Sequence, residues 1–268
     1  MTSPKIMGIL NCTPDSFLDG GKYSGVSALA DRAFQMENEG ADIIDIGGES
    51  TRPGAAPVEI DEELRRTIPV IEAIRKRSGA AGIPISIDTT KARVAMEAVT
   101  AGATMINDVS GFRADPEMAV VAAEMKVPVV LMHSRGTPQT MQTMTDYRNV
   151  VDDVMAELKQ SVDRAHKAGL KKDQILIDPG FGFAKTFEQN IEMLRNLKRF
   201  REMGYPIMIG LSRKNFVGIM TGEEKASGRL AGSLALAFYA AMQGIDILRV
   251  HDVAETRDVV LAFRRLFN

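Results

Sequence analysis

The chain has 268 residues, 45% of them hydrophobic and 25% charged, with a formal net charge of −2 and a single cysteine. That length fits one large α/β unit or two small ones, and the balanced charge leaves no basic footprint for nucleic acid or an anionic membrane. Cys12 alone excludes an intrachain disulfide, and four Tyr with no Trp argue against stacking platforms for single strands.

From the start, short apolar runs alternate with helical patterns. MTSPK leads directly into a strand over 5–11 rather than into an apolar leader, which together with the lone cysteine predicts a cytoplasmic protein. A helix over 26–39, a strand over 42–46, a helix over 59–78, a strand over 84–88 and a helix over 91–101 follow. The middle reads as strand 103–107, helix 115–125, strand 127–133, helix 146–168, strand 174–178 and helix 187–203. Strand 206–210, helix 226–243, strand 246–250 and helix 253–266 complete eight units. The strands are unbroken Ile/Val/Leu/Met runs, as expected when both faces are covered.

Gly40, Gly102, Gly169, Gly204 and Gly244 each close a helical pattern, and Pro69 predicts a kink or break near Thr67. The stretch Leu230 to Met242 is too short for a bilayer; its apolar character nearly all round predicts a homodimer contact.

Each strand ends in a polar residue: Asn11, Asp45, Asp88, Asn107-Asp108, His133, Asp178, Ser212 and His251. Such residues are costly at the end of a buried strand unless something binds them. Eight strand–helix units closed into a (β/α)8 TIM barrel, read as one domain over 1–268, would place all eight ends around one mouth. The long polar loops, after strands one, two, five and seven, fall on that same side. An open doubly wound sheet is the structural rival, but Asn11-Cys12-Thr13-Pro14 stands where its glycine-rich phosphate turn belongs.

Several strand-end segments carry chemistry. Arg52, on the flexible loop DIGGESTRPG, is either a solvated arginine or a phosphate ligand. Asp88, Asn107 and Asp178 form a polar set too large to be helix caps alone, although Thr89 or Thr90 could cap one helix. A carboxylate suits the paired N–H donors of a 2-aminopyrimidinone ring such as a pterin or guanine, and an Asn can read the other edge. GLSRKNF offers Ser212, Lys214 and Asn215 after strand seven, a place where barrels bind anions. Arg249 and His251 share parity on the last strand, so both would face the mouth. Three histidines without a His-x-His pair make a metal-hydrolase site a weak reading.

Taken in order, GILNCTPDSFLDGG, DIGGESTRPG, SIDT, INDVSG, MHSRGTPQTMQ, DPGFGFAK, GLSRKNF and RVHDV resemble the dihydropteroate synthase family over Ile6 to about Asp252. The resemblance implies a barrel that usually dimerises. It implies an enzyme joining 4-aminobenzoate to 6-hydroxymethyl-7,8-dihydropterin pyrophosphate with Mg2+ in folate synthesis, and a target of sulfonamides. It assigns the pterin to Asp88, Asn107, Asp178 and Lys214, and pyrophosphate to Asn11, Arg52, Arg249 and His251. Mg2+ would sit near Asn11, helped by Asp19. Phe17, Thr51, Pro53 and Phe183 would shape the 4-aminobenzoate pocket, with its carboxylate near Ser212 and Asn215. Cys12, Leu18, Ala184, Asn215 and the MHSRG segment depart from the family's usual residues without removing a charge. A methyltetrahydrofolate methyltransferase barrel and a catalytically silent pterin-binding relative remain as alternatives; neither explains STRPG, SRK and RVH together.

Overall fold

The computed structural model describes residues 3–13, 21–79 and 82–267, with the side chains of 21–24 left aside. Among these residues, the first half runs β1 Lys5–Asn11, α1 Gly21–Glu39, β2 Ile43–Gly47, α2 Ile60–Ser78, β3 Ile85–Asp88, α3 Ala92–Ala101, β4 Met105–Asp108 and α4 Met118–Met125. The second half runs β5 Val129–Met132, α5 Val150–Ala168, β6 Ile175–Asp178, α6 Phe187–Arg195, α7 Leu197–Arg201, β7 Met208–Ile209, α8 Asn215–Thr221, α9 Leu230–Met242, β8 Ile247–Val250 and α10 Val253–Phe267.

The eight strands are parallel and neighbour one another in the order β6-β5-β4-β3-β2-β1-β8-β7. A bridge between Ile177 and Ile207 brings β6 against the approach to β7 and closes the circle. This is the (β/α)8 barrel expected from the strand endings. Two apolar layers support it. Met7, Ile43, Val130, Leu176, Met208 and Ile247 fill the barrel's interior floor, while a larger cluster including Ile44, Ile46, Ile85, Ile87 and Ile106 lies between strands and helices. Alternate residues of one strand therefore serve two cores, which is why the strands read as continuous apolar runs.

Several boundaries differ from expectation, each for a local reason. α2 runs unbroken through Pro69 from Ile60 to Ser78. The carbonyl deprived of its partner belongs to Arg65, an exposed residue, so water can replace the lost bond. The helix expected over 115–125 begins at Met118: Asp115 stays outside it as a turn residue, with Oδ1 accepting from Glu117 N at 3.0 Å while Oδ2 accepts from Ala92 N at 2.8 Å at the start of α3. α5 starts at Val150 rather than 146, behind the Asn149 cap that accepts from Asp152 N at 3.0 Å. The helix expected over 187–203 is split at Asn196, whose Nδ2 donates to Glu192 O at 2.8 Å and competes with the helical ladder. The segment after β7, expected to be all loop, contains α8, closed by Gly222 at φ 73°. The five glycines expected to end helices all have positive φ.

Candidate active site

Strand parity places the charged residues. Stepping two positions along a strand from a floor residue leads to the same face nearer the mouth. Ile43 leads to Asp45, Leu176 to Asp178 and Ile247 to Arg249, while Met105, packed against the floor, leads to Asn107. Asp88 and Asn107 are direct register partners across β3 and β4. Asp45, Asn107 and Asp178 are buried to 3% exposure or less, and Asp88 to 8%.

Arg249 is the hub of the first cluster. Its Nε donates to Asp45 Oδ2 and its Nη2 to Asp88 Oδ2, each at 2.6 Å, while Asn107 Nδ2 donates to the same Asp45 oxygen at 3.2 Å. Burial works against the Arg249 charge, but Asp45 and Asp88 outweigh it and raise its pKa. Burial also pushes Asp88 up to about 7; Arg249 opposes that shift, and the neighbouring Asp45 and Glu63 charges add to it. Among the described residues Asp45 Oδ1 and Asn107 Oδ1 are buried acceptors with no partner, an arrangement that is costly unless a donor arrives.

The second cluster faces it from β6 and the loop after β7. Burial raises the pKa of Asp178, against Lys214 and against the Gly180 N–H that donates to Asp178 Oδ1 at 2.7 Å. Lys214 donates to the Phe181 carbonyl and sits 4.5 Å from the centre of the Phe183 ring. Burial lowers its pKa to about 8, with Asp178 opposing. Gly180 has φ +70°, and a Cβ there would lie 1.8 Å from the His133 carbonyl oxygen, so only glycine permits this turn.

A third group surrounds the rim. His251 Nδ1 lies 3.1 Å from Ser212 Oγ, which also accepts from the His251 backbone N–H at 3.2 Å. Burial, then the charges of Arg249, Arg213 and Arg52, pushes His251 down to about 4, so its ring is neutral at pH 7. Arg52 is itself exposed, and its backbone N–H donates to Ser50 Oγ at 3.4 Å. Thr51 is half-buried and Pro53 exposed; Gly54 N–H donates to Pro138 O at 2.9 Å, joining the loops after β2 and β5. The root of the β2 loop is anchored by Lys91, which donates to Glu49 and, at 2.5 Å, to buried Glu63. Arg66 Nη1 donates to Gly48 O at 2.8 Å. Asn215 opens α8, exposed, with Oδ1 3.5 Å from Arg229 Nη2. Asn11 ends β1 with its side chain exposed. Phe17, Leu18 and Asp19 lie outside the described residues. Cys12 is buried, and burial pushes its thiol up to about 12, so it packs rather than reacts.

Asp88, Asn107, Asp178, Lys214, Arg249 and His251 thus occupy one end of one barrel. Asp45 joins them although its side chain was not among the expected site groups; its strand-end position next to a glycine pair was the available signal.

A profile described as pterin binding enzyme matches residues 7–251. A dihydropteroate synthase of Synechocystis is 49% identical over 92% of this chain and 85% of the relative. The solved dihydropteroate synthase of Yersinia pestis in a sulfonamide drug complex superposes with a TM-score of 0.91 at 41% identity, covering 98% of this chain and 94% of the other. That of Xanthomonas albilineans in complex with 7,8-dihydropteroate gives a TM-score of 0.88 at 42% identity, covering 99% and 95%. On sequence, fold and site together, the chain belongs to the dihydropteroate synthase family of pterin-binding enzymes.

Proposed function

We propose that this chain joins 4-aminobenzoate to 6-hydroxymethyl-7,8-dihydropterin pyrophosphate, forming 7,8-dihydropteroate and pyrophosphate for folate synthesis. The observation that carries this reading is the pair of buried acceptors without a partner among the described residues, Asp45 Oδ1 and Asn107 Oδ1, beside Asp88 and opposite Asp178 and Lys214. A pterin presents amide and amine N–H donors along one edge and acceptors beside them, which is the complement of this set. Asp88, Asn107, Asp178 and Lys214 then hold the ring, with Asp45 added to the set.

Reaction begins as the methylene C–O bond breaks and its electron pair leaves with pyrophosphate. The cation left behind spreads into the ring, where Asp88 and Asp178 stabilise it. Arg249, His251 and Arg52 receive the leaving group; burial first, and then the Arg249, Arg213 and Arg52 charges, keep the His251 ring neutral. The amine of 4-aminobenzoate supplies the new bond to carbon and then loses a proton, so no strong base is required. Phe183, Thr51, Pro53, Ser212, Asn215 and Phe17 are the candidates to line the 4-aminobenzoate pocket. Ser212 also orients His251, which couples that pocket to the pyrophosphate groups.

Among the described residues no group of three or more His, Cys, Asp or Glu side chains forms a metal cage. Mg2+ needs none, since it keeps several waters and takes substrate phosphates as ligands. The hard oxygen of Asn11, together with Asp19 and pyrophosphate, fits such a site; bound there, the ion would neutralise charge developing on the leaving group.

We read the chain as a single cytoplasmic domain; no helix of the described residues is long and apolar enough to cross a membrane. Exposed Met242 of α9, with Leu261, Leu266 and Phe267 of α10, supports a homodimer through these helices. The decisive assay is pyrophosphate release from the pterin substrate. Release that requires Mg2+ and is accompanied by dihydropteroate only when 4-aminobenzoate is present supports the reading. Absence of dihydropteroate under those conditions would sink it.

A further inference from the structure

The DPGFGFAK segment, which leaves β6 at Asp178 and reaches α6, folds around a buried amine. Lys185 is 5% exposed, and its Nζ lies 3.0 Å from His133 Nδ1 and 2.9 Å from each of the Gly180 and Phe183 carbonyl oxygens. On the far side of the imidazole, His133 Nε2 lies 3.0 Å from Glu157 Oε2. Burial works against the Glu157 charge, but His133 and Arg135 outweigh it and hold its pKa at about 2. Burial and the Lys185 charge push His133 down to about 3, so the ring is neutral.

These facts fix the protons. A neutral imidazole facing a carboxylate through Nε2 must donate there, which leaves the lone pair on Nδ1. Nζ then meets three acceptors, one ring nitrogen and two carbonyls, and only an ammonium has three N–H donors for them. Burial pushes the Lys185 pKa well down and the Asp178 charge opposes it; the bonding pattern demands all three protons.

Both carbonyls belong to turns that touch the pterin groups. The N–H of Gly180 donates to Asp178 Oδ1 at 2.7 Å, and the next carbonyl, of Phe181, accepts from Lys214. Phe183, whose carbonyl Lys185 also holds, places its ring beside the Lys214 ammonium. Tyr147 adds a bond from outside, its hydroxyl donating to Ala184 O at 2.9 Å.

We propose that Lys185 is a positioning residue for the Asp178–Lys214 pair: its ammonium, anchored on the His133–Glu157 couple, fixes the loop that sets the spacing of the two pterin-binding groups. The inference rests on the reading of Asp178 and Lys214 as pterin groups.

The test is Lys185→Met in the full-length protein, with steady-state kinetics normalised to titrated active sites. The KM for the pterin substrate should rise roughly tenfold or more, the order of one charge-assisted hydrogen bond. Inhibition by inorganic pyrophosphate alone, which depends on Arg52, Arg249 and His251, should change by less than about twofold. A residue that merely supports the fold would lower the active fraction and leave KM unchanged in what remains; that result overturns the proposal. Should the variant not fold, 15N spectra of His133 in the unaltered protein decide: a protonated Nε2 with a bare Nδ1 supports the inference, and the opposite tautomer refutes it. Asp178→Asn separates the two levels. If it keeps full pterin affinity, the pterin reading fails and takes this inference with it. If it loses affinity while Lys185→Met does not, only the role of Lys185 is lost.

Discussion

Arg249 and Asp88, 161 positions apart in sequence, meet at 2.6 Å at the barrel mouth, and the same guanidinium holds Asp45 through Nε. A group proposed for the leaving pyrophosphate is therefore bonded to carboxylates proposed to face the ring. On the proposed assignment the two subsites share one cation, so binding at either would alter the field at the other.

That shared cation sets a pH dependence. Asp88 has its pKa raised to about 7 by burial, against the pull of Arg249. If the ring needs the carboxylate, affinity for the pterin should fall as pH drops below about 7, approaching tenfold per unit. The linkage to stability has the opposite sign. A carboxyl with a raised folded pKa stabilises the fold at pH below its unfolded value near 4, and that contribution is lost as pH rises through 7. Removing Arg249 as Ala should move the midpoint of the affinity profile upward, because the lowering influence is gone. Calorimetric titration with the pterin across pH 5 to 9 reads both; a profile flat through this range contradicts the ionised role of Asp88.

Asp178→Ala should weaken pterin binding by about 2–5 kcal/mol, the cost of truncating one partner of a buried charge pair. Lys214, left without its opposing charge, should then titrate below 8, detectable by pH-dependent labelling of its amine. Unaltered pterin affinity in this variant would remove Asp178 from the site.

Gly180→Ala tests the close approach of two loops. The new methyl would meet the His133 carbonyl oxygen at 1.8 Å from a backbone at φ +70°. A loss of about 3 kcal/mol or more is expected, lowering the melting temperature by roughly 6–12 °C for a chain of this size. A melting curve matching the parent would mean that the turn has room the distances deny.

Cys12 should be silent toward a thiol reagent in the native protein and react once denaturant unfolds it, since burial pushes its pKa to about 12. Stoichiometric labelling under native conditions at pH 8 would contradict that placement.

The barrel was legible because its signal is repetitive: every strand is a short apolar run ending in a polar group, and every helix is closed by a glycine or a loop. Asp88, Asn107 and Asp178 were legible for the same reason, being polar where burial penalises polarity. Asp45 shares that position, but its bond to Arg249 crosses 204 positions and leaves no local pattern. α8 has no legible signature because seven residues are too few to display a period, although Gly222 marks its end. Lys185 closes the DPGFGFAK segment with no local sign of its role; that its ammonium turns inward to three acceptors depends on where β5 and α5 bring His133 and Glu157. Asn196 reads as an ordinary polar position within a helix until its side chain is seen bonding Glu192 O.

The two-residue step from Ile43 to Asp45, Leu176 to Asp178 and Ile247 to Arg249 ties the oily floor of the barrel to its charged rim. Shifting any of these strands by one residue would exchange inside for outside at both levels together. A misaligned strand could not keep a sound interior while spoiling only the ligand groups, nor the reverse. A chain that packs its floor in register has therefore already aimed Asp45, Asp178 and Arg249 at the mouth.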